Sequence, residues 1–366
     1  MNLFGRKAAP PARPELTRFG AGVAGWSAGE QSYEAQVREG YCRNPIAQRA
    51  VRLVAEAVSG APLIAAPAPF AALVRTRSGA QALVETATAQ LLLSGNAYVQ
   101  LLTDAEGGLA ELFALRPERV SIEPDAQGWP AAHVYRCEGR AMRLSPTAPR
   151  PQIAHVKLFN PLDDHKGLGC LGAAAPAVAL HNAASAWNRA LLANGARPSG
   201  ALVYEPGDGS PLAPDQFDRL RAELDASFAG AANAGRPLLL EGGLKWQALS
   251  LTPADMDFAG TKAAAAREIA LGFGVPPMLL GLPGDSTYAN YKEANRALWR
   301  LTVLPLAGAI LSALRDGLAA DFPGARLQVD LDRVPALVED RERLWRMVSA
   351  ADFITADEKR QMVDWK

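Results

Sequence analysis

The sequence contains few cysteines and histidines, and this scarcity limits the chemistry that it can support. Its three cysteines, Cys42, Cys137 and Cys170, have no CxxC spacing and cannot all pair. This pattern favours reduced thiols over a disulfide framework or a zinc site. With only four histidines in the chain, a metal-ligand set is hard to assemble. We therefore expect neither a bound metal nor a cofactor.

The chain also lacks an excess of charge of either sign. Lys and Arg together number 38, as do Asp and Glu, so the net charge is zero. Tight binding of nucleic acid requires many phosphate contacts from basic side chains. Any contact with DNA is therefore expected to be weak or transient.

Long uninterrupted apolar runs are missing as well. Residues 1–30 are rich in Gly, Ala and Pro and lack the apolar run of a signal peptide, which predicts a flexible arm. The only membrane-like segment is the alanine-rich stretch 173–196. It carries His181, Asn182 and Arg189, which a bilayer would disfavour. No membrane span is predicted.

Three enzyme-like motifs are incomplete. The stretch GLPGDST has Asp285 where a phosphate-binding loop needs lysine. Ser286 lacks the G-x-S-x-G pattern of a hydrolase nucleophile. Asp163, Asp164 and His165 are consecutive, and consecutive turn residues rarely converge on one metal ion. We predict a solvated turn at 163–165, a serine that caps the next helix at 286, and no enzymatic activity.

Helix and strand signals alternate in the first 160 residues. Asn44 and Pro45 begin a helix that ends at Ser59-Gly60, and a second helix covers about 80–93 and ends at Ser94-Gly95. Short runs separated by Asp, Gly and Pro then predict an antiparallel meander. These runs are 98–102, 111–117, 120–124, 132–136, 141–144 and 153–159.

An alanine-rich helix is predicted over 173–194, closed by Asn194-Gly195. It has few charges on any side, so most of its circumference must be covered by other protein, and neighbouring copies of the same helix could do this. Residues 200–251 read as a small α/β insert. One face of the alanine-rich helix carries an apolar stripe, which consists of Leu180, Ala184, Trp187 and Leu191.

A further helix starts at a capping box, Thr252 to Asp255, and stops at the sequence FGVPP, residues 273–277. The loop that follows is rich in Gly, Pro and hydroxyl groups and leads into a helix from about 288. Pro305 predicts a kink near 301–305. A strand (326–332) and two helices (336–349 and 356–365) complete the chain, the last with a Thr355/Glu358 capping box.

The order of these segments is similar to that of a known family. No single stretch is decisive, but together they resemble the portal proteins of tailed double-stranded DNA phages, from about residue 40 to the end. The matching stretches are SGNAYVQL (94–101), LRPERVSI (115–122), GLGCLGAAAPAVAL with NGARPSGALVY (167–204), LAPDQFDRLRAEL (212–224), LLLEGGLKWQALSLTPADMDF (238–258), REIALGFGVPPMLLG (267–281), STYANYKEANRALWRLTVLPL (286–306) and ITADEKR (354–360).

The resemblance implies an α+β portal fold assembled as a ring, in most members a dodecamer. Carried onto this sequence, it implies an arm, a wing in two parts, a two-helix stem, a clip, a tunnel loop and a short crown. The ranges are 1–30 (arm), 31–172 and 290–334 (wing), 173–199 and 252–277 (stem), 200–251 (clip), 278–289 (tunnel loop) and 335–366 (crown).

The implied function is that of a head–tail connector at one capsid vertex, made in the host bacterial cytoplasm, through which DNA is packaged and ejected. The implied partners are other copies of the chain, double-stranded DNA, the terminase large subunit, a head–tail adaptor and the major capsid protein. The tunnel-loop side chains that would project into the channel are Asp285, Ser286, Thr287, Tyr288 and Asn290.

Two questions stay open at the level of sequence. The short crown and abbreviated N-terminal region fit a phage, a prophage or a gene transfer agent. The alternative function is a monomeric or small-oligomer α/β ligand-binding protein whose 278–289 loop closes over its ligand. The alanine-rich helix argues against that alternative, because a small oligomer would need another way to cover it.

Overall fold

The structure is a computed structural model, and it describes residues 32–78, 80–147, 150–193, 200–205, 213–228, 244–248, 258–283 and 287–363. The chain folds as two units. The first comprises the described parts of 1–174 and 270–366, and the second those of 175–269. The predicted arm, 1–30, lies outside the described residues.

The first unit begins with a short helix that the sequence analysis missed, α1 (Tyr33–Val37), which continues into a π-helical turn at Arg38–Cys42. Helix α2 (Pro45–Ser59) starts and ends where predicted. The Asn44 side chain accepts hydrogen bonds from the backbone N–H groups of Ile46 and Ala47, at 3.1 and 3.0 Å. These bonds satisfy two of the amides that a helix start leaves unpaired.

Two more unpredicted elements follow, β1 (Leu63–Ala66) and α3 (Ala68–Arg75). Next come a two-residue hairpin, β2 (Arg77–Ser78) with β3 (Gln81–Ala82), and helix α4 (Leu83–Ser94). Helix α4 ends as predicted at Gly95, which has a left-handed conformation with φ 77°.

The six predicted strands are present, but they form two sheets and the predicted single meander is wrong. They are β4 (Asn96–Thr103), β5 (Leu109–Leu115), β6 (Val120–Pro124), β7 (Pro130–Cys137), β8 (Arg140–Leu144) and β9 (Ile153–Lys157). One antiparallel sheet has the order β5-β4-β9 and the other β6-β7-β8.

The reason is local to the start of β4. The Leu158 N–H, directly after β9, donates to the Gly95 carbonyl at 2.9 Å. The Asn96 side chain accepts from the Gly167 N–H at 2.8 Å and donates to the Gly167 carbonyl at 3.1 Å. These bonds hold β9 and the chain after it against β4, so β9 cannot extend the β6-β7-β8 meander.

A long helix follows the predicted tunnel loop. It consists of α8 (Tyr288–Leu298), a π-helical turn (Trp299–Val303) and α9 (Leu304–Gly317). The predicted kink region, 301–305, overlaps the π-helical turn, and Pro305 follows that turn at the start of α9. Because proline has no N–H, a change of helical pattern at this place is consistent with its chemistry.

This helix, 288–317, is also the one among the described residues that is long and apolar enough to cross a membrane by length and composition. The expectation that the alanine-rich segment is the only membrane-like one is therefore wrong. Helix α9 instead buries Leu306, Ile310, Leu311 and Leu314 in the first unit. It contacts β9, α4 and the strand β12 (Arg326–Val329). Its apolar face is therefore used inside the protein.

The first unit closes with β12 (Arg326–Val329), α10 (Val338–Ala350) and α11 (Ala356–Met362). Strand β12 pairs antiparallel with β1, so residues near both ends of the chain share one small sheet. The predicted capping box of the last helix is confirmed. Glu358 N–H donates to the Thr355 hydroxyl, and the Thr355 N–H donates to the Glu358 carboxylate.

The second unit holds most of two helices and a small insert. Helix α5 covers Cys170–Ala193 and α7 covers Phe258–Gly272. Between them lie β10 (Gly200–Tyr204), α6 (Pro214–Phe228) and β11 (Leu244–Ala248), with β10 and β11 antiparallel. The predicted caps at Asn194-Gly195 and Thr252 lie outside the described residues.

Two histidines of the first unit, His133 and His155, are packed against an aromatic ring. The rings of Tyr98 and His155 stack with centroids 4.3 Å apart, and His133 meets both rings at 5.3–5.6 Å. Neither ring nitrogen of His133 has a hydrogen-bond partner among the described residues. Burial lowers the pKa of His133 to about 4 and that of His155 to about 3.

These pKa values predict acid destabilisation of the first unit. The unfolded chain takes up protons on both rings below about pH 6.5, whereas the folded chain does so only near pH 3–4, so stability falls as the pH drops through this window. In a His133→Leu variant the loss between pH 7 and 4 should be smaller by on the order of 2 kcal/mol. Chemical denaturation at a series of pH values measures this, and an unchanged pH profile would contradict it.

Candidate functional site

The candidate site is the loop 278–289, and its first end is fixed by the way α7 stops. Gly274 has a left-handed backbone with φ 64°. Its N–H donates to the Leu271 carbonyl and the Val275 N–H donates to the Ala270 carbonyl, both at 2.9 Å. This pair of bonds is a Schellman motif, which satisfies the last carbonyls of the helix. The last turn of α7, which ends at Gly272, is therefore closed by Gly274 before the two prolines.

The prolines shape the next turn. Pro277–Leu280 form one turn of 3₁₀ helix, and Gly281 ends it with φ 74°. The Leu282 N–H donates back to the Pro277 carbonyl at 3.3 Å. The chain thus makes two successive left-handed glycine turns, at Gly274 and Gly281, before it reaches the loop tip. Of the predicted loop residues, Asp285 and Ser286 lie outside the described residues.

The far end of the loop is fixed by a helix cap. The Thr287 hydroxyl accepts a hydrogen bond from the Asn290 N–H at 3.2 Å, and the Thr287 carbonyl accepts from the Tyr291 N–H at 3.0 Å. Thr287, and not Ser286 as predicted, is therefore the N-cap of α8. Tyr288 is the first residue of the helix, and 83% of its surface is exposed. Thr287, Tyr288 and Asn290 lie together on this exposed first turn.

A hydrogen bond that the sequence analysis missed joins the chain before the loop to the long helix after it. The Thr302 hydroxyl, in the π-helical turn, donates to the Gly274 carbonyl at 2.7 Å. The π-helical turn ends two residues before Pro305, so the proline indicates where the helix is irregular. It does not indicate which side chain of the turn bonds to the end of α7. We infer that the π-helical turn places Thr302 against the end of α7.

An ion-pair cluster ties α8 and the π-helical turn to α10, and it was also missed. Lys292, Arg296 and Arg300 follow at four-residue spacing, so they share one helix face. They pair with Glu339 and Asp340 in the first turn of α10. Arg296 lies at the centre, with 3.1 Å to Glu339 and 3.3 Å to Asp340.

The charges in this cluster reinforce one another. The hydrogen bond between the two side chains raises the pKa of Lys292 and lowers the pKa of Glu339. Carboxylates are also favoured at a helix N-terminus, where the unpaired amides carry partial positive charge. The four-residue spacing of three basic side chains was the available sequence signal, but their partners lie about 40 residues further along the chain.

The predicted stem stripe is only partly assembled within one chain. Ala184 is buried, and the Trp187 ring stacks on Phe258 with centroids 4.1 Å apart. Leu180 is 46% exposed although it belongs to the same stripe. Leu191 belongs to α5, but its side chain lies outside the described residues. The structure therefore pairs α5 with α7 through Trp187 and leaves Leu180 available.

The acidic turn at 163–165 is used for backbone structure. The Asp163 carboxylate accepts hydrogen bonds from the N–H groups of His165 and Lys166, at 2.7 and 3.0 Å. It therefore serves as an Asx-type turn residue. Over the described ranges of the chain, no group of three or more His, Cys, Asp or Glu residues could hold a metal ion.

The two left-handed glycines allow a matched test of the loop base. An added Cβ at Gly274 would lie 2.7 Å from the Thr302 hydroxyl, whereas one at Gly281 would meet nothing within 4 Å. Both Gly→Ala changes incur the left-handed backbone penalty of roughly 1–2 kcal/mol. We expect Gly274→Ala to lose about 1 kcal/mol more than Gly281→Ala in chemical denaturation. Equal losses would show that Thr302 does not constrain this turn.

Arg296→Met tests the ion-pair cluster. It removes a guanidinium that is only 17% exposed and leaves Glu339 and Asp340 with weaker compensation, so we expect a loss of about 1–3 kcal/mol. Faster amide hydrogen exchange in α10 should accompany this loss. Arg346→Met is the control, because its pair with Glu342 is 3.7 Å long and exposed. Similar exchange in both variants would contradict the role of Arg296.

Comparison with known proteins tests the predicted family. A model of the phage portal protein family matches residues 45–364. An uncharacterized protein of Rickettsia felis is 38% identical over 340 residues, which is 89% of this chain and 87% of that protein. The probable portal protein of Streptomyces phage phiC31 is 25% identical over 284 residues, covering 75% of this chain and 61% of that protein.

Solved structures agree. A chain from the virion of a native gene transfer agent particle is 47% identical with a TM-score of 0.71, covering 95% of this chain and 96% of that one. A chain from the neck of the native particle, computed with C12 symmetry, is also 47% identical, with a TM-score of 0.70 and coverage of 92% and 94%. The portal fold, the role as head–tail connector and the location at the portal vertex are confirmed by these matches. The chain belongs to the phage portal protein family.

Proposed function

We propose that this chain forms a closed ring of twelve subunits in a particle of the gene-transfer-agent type. The observation that carries the proposal is the 47% identity, over 95% of the chain, to a protein from the virion of such a particle. The neck of that particle was computed with C12 symmetry. The identity to the phage phiC31 portal protein is only 25%, which favours the gene-transfer-agent type over a phage.

The half-exposed stem supports a ring. In a closed ring each subunit packs head-to-tail on the next, so two different faces of every chain become covered. Leu180 on α5 is 46% exposed in the single chain although its helix is rich in alanine and apolar side chains. Contact with a neighbouring α5 or α7 would remove this side chain from water and contribute to association.

The 278–289 loop would line the central channel and contact the passing double-stranded DNA. The chain on either side of the loop is held by hydrogen bonds, between Gly274 and Thr302 and between Thr287 and Asn290. Of the residues proposed to contact DNA, Tyr288 is exposed on the first turn of α8, whereas Asp285 and Ser286 lie outside the described residues. Short polar groups and a net charge of zero suit DNA that must slide, because strong phosphate binding would arrest it.

The remaining partners follow from the same proposal. The 200–251 region would dock the terminase large subunit during packaging and a head–tail adaptor afterwards, and the wing would contact the major capsid protein. The exposure of Phe217 on α6 supports a protein partner for the 200–251 region. In this proposal the chain itself is not an enzyme, and the terminase supplies the energy of packaging.

Purification followed by negative-stain electron microscopy and native mass measurement tests the ring. We expect closed rings of twelve subunits with a central hole. A monomer or dimer that forms no larger assembly when co-expressed with its capsid protein would contradict the proposal. That result would favour the alternative function, a small-oligomer ligand-binding protein.

Loop variants test the channel assignment. We expect Tyr288→Ala and Asp285→Lys to leave ring mass unchanged and to lower the DNA content per particle, because the first removes an exposed aromatic contact and the second adds a phosphate-binding charge. Tyr291→Ala is the control on the same helix, one turn away from the loop. Nuclease-protected DNA per particle is the measurement, and normal values in both loop variants would refute the assignment.

A further inference from the structure

A cleft lies between α9, the β1-β12 sheet and the end of α11, and we call it the α9 cleft. Its volume is about 470 Å³, far more than one water molecule needs. All of its lining residues belong to the first unit. Its apolar lining includes Ile64, Leu304, Leu311, Leu327, Val329 and Val363. A cleft of this size and lining has room for a bulky apolar group.

A glycine inside α9 faces the cleft without a packing reason from the described residues. Gly308 lines the cleft together with Leu304 and Leu311, which lie on the same face of the helix. Glycine in a helix interior is less stable than alanine. An added Cβ at Gly308 would meet no atom of the described residues within 4 Å. A bulky group that packs closely on the helix backbone would explain a glycine at this position.

The last described residue, Val363, lies on the wall of this cleft. It is 3% exposed. Its N–H donates to the Lys359 carbonyl at 3.3 Å, and its carbonyl accepts from the Arg341 guanidinium at 2.8 Å. The Arg341 side chain is only 13% exposed and also pairs with Asp332. The backbone at Val363 is therefore fixed at the cleft.

The helix before Val363 needs an anchor. Helix α11 has seven residues, and none of them is buried. So short a helix is unstable in water unless tertiary contacts hold it. Among the described elements its main contact is with α10. An apolar contact made by the chain after α11 would supply the stabilisation that the helix itself does not obtain.

The sequence places a large apolar side chain just beyond this point. Trp365 follows Val363 by two residues and lies outside the described residues. Two residues of extended chain span about 7 Å, so Trp365 is within reach of the cleft. Its indole combines a large apolar surface with one N–H donor. Ser312 and Asp330, which also line the cleft, offer oxygen atoms to that N–H.

We propose that Trp365 docks in the α9 cleft of its own chain and packs over Gly308. The indole would tie the end of α11 to α9 and the β1-β12 sheet. Its own chain is the favoured source, because a short tether from Val363 costs little entropy, whereas a second copy must also lose the freedom of a separate molecule. The inference does not depend on the proposed ring, since the cleft and Val363 belong to one chain.

The first experiment measures the accessibility of Trp365 in the full chain by hydroxyl-radical footprinting with mass spectrometry. We expect oxidation of Trp365 to be slower by about tenfold or more in the folded chain than in denaturant. Met362 is the internal reference, because it is 54% exposed and lies in the same segment. Its oxidation should change far less on unfolding. Equal oxidation of Trp365 in the folded and unfolded chains would overturn the docking.

The second experiment blocks the cleft with Gly308→Leu. We expect this change to return Trp365 oxidation to the unfolded rate and to lower the denaturation midpoint. In a Trp365→Ala background the same change should not lower the midpoint, because leucine then enters a vacant cleft and favours the helix. Ala309→Leu is the matched control, since Ala309 is the exposed neighbour on α9, and it should leave Trp365 protected. Equal midpoint changes in both backgrounds would contradict a contact between Trp365 and Gly308.

A mixing experiment separates docking within one chain from exchange between subunits. Gly308→Leu and Trp365→Ala chains are co-expressed in equal amounts. The only Trp365 present then belongs to chains with a blocked cleft, and the only open clefts belong to chains without Trp365. We expect Trp365 to be oxidised at the unfolded rate. Restored protection would show that the cleft binds Trp365 of another subunit, which would overturn docking within the chain.

Discussion

The hydrogen bond from the Thr302 hydroxyl to the Gly274 carbonyl ties the chain before the 278–289 loop to the long helix after it. Helix α7 stops shortly before Gly274, and the long helix that contains Thr302 begins directly after the loop. The Schellman motif at Gly274 and the Thr287 cap each order one side of the loop. The Thr302 bond adds a contact between the two helices that the loop connects.

The same helix connects the loop to the C-terminal segment. Arg296 pairs with Glu339 and Asp340, and Asp332 pairs with Arg341 and accepts a hydrogen bond from Trp345. The last turn of α8 is therefore tied to the first turn of α10. Most of these ion pairs are partly exposed, so each alone contributes little to stability. The pairs that share the guanidinium of Arg296 form a network, which stabilises more than separate pairs do.

The sequence predicted the local elements better than their partners. Asn44 with Pro45, Gly95, and Thr355 with Glu358 signal helix ends through their own side chains or backbone, and all three signals are confirmed. Strand β9 was placed correctly along the chain, but its pairing with β4 depends on Gly95, Asn96 and Gly167 meeting across about 70 residues. No local pattern encodes such a meeting.

In the candidate site too, the sequence predicted local features better than tertiary contacts. Thr287, Tyr288 and Asn290 were found because they stand beside the Gly- and Pro-rich loop, and Pro305 pointed to the irregular turn of the long helix. Thr302 and the Arg296 cluster were missed because their function depends on residues 28 and 43 positions away. A helix pattern gives the face on which a side chain lies, but the identity of the opposite surface comes only from tertiary structure.

Several large apolar side chains of the single chain are exposed to water, and membership of the portal family offers a reason for this exposure. A monomer that keeps Phe159, Leu162, Leu271 and Leu301 in water forgoes the stabilisation that burial would provide. Burial of such side chains in an assembled ring would recover that stabilisation. Residues 158–169 are held by polar bonds within the chain, between Asn160 and Lys166 and between Asn96 and Gly167. Each subunit can therefore fold first and present a finished surface to the next.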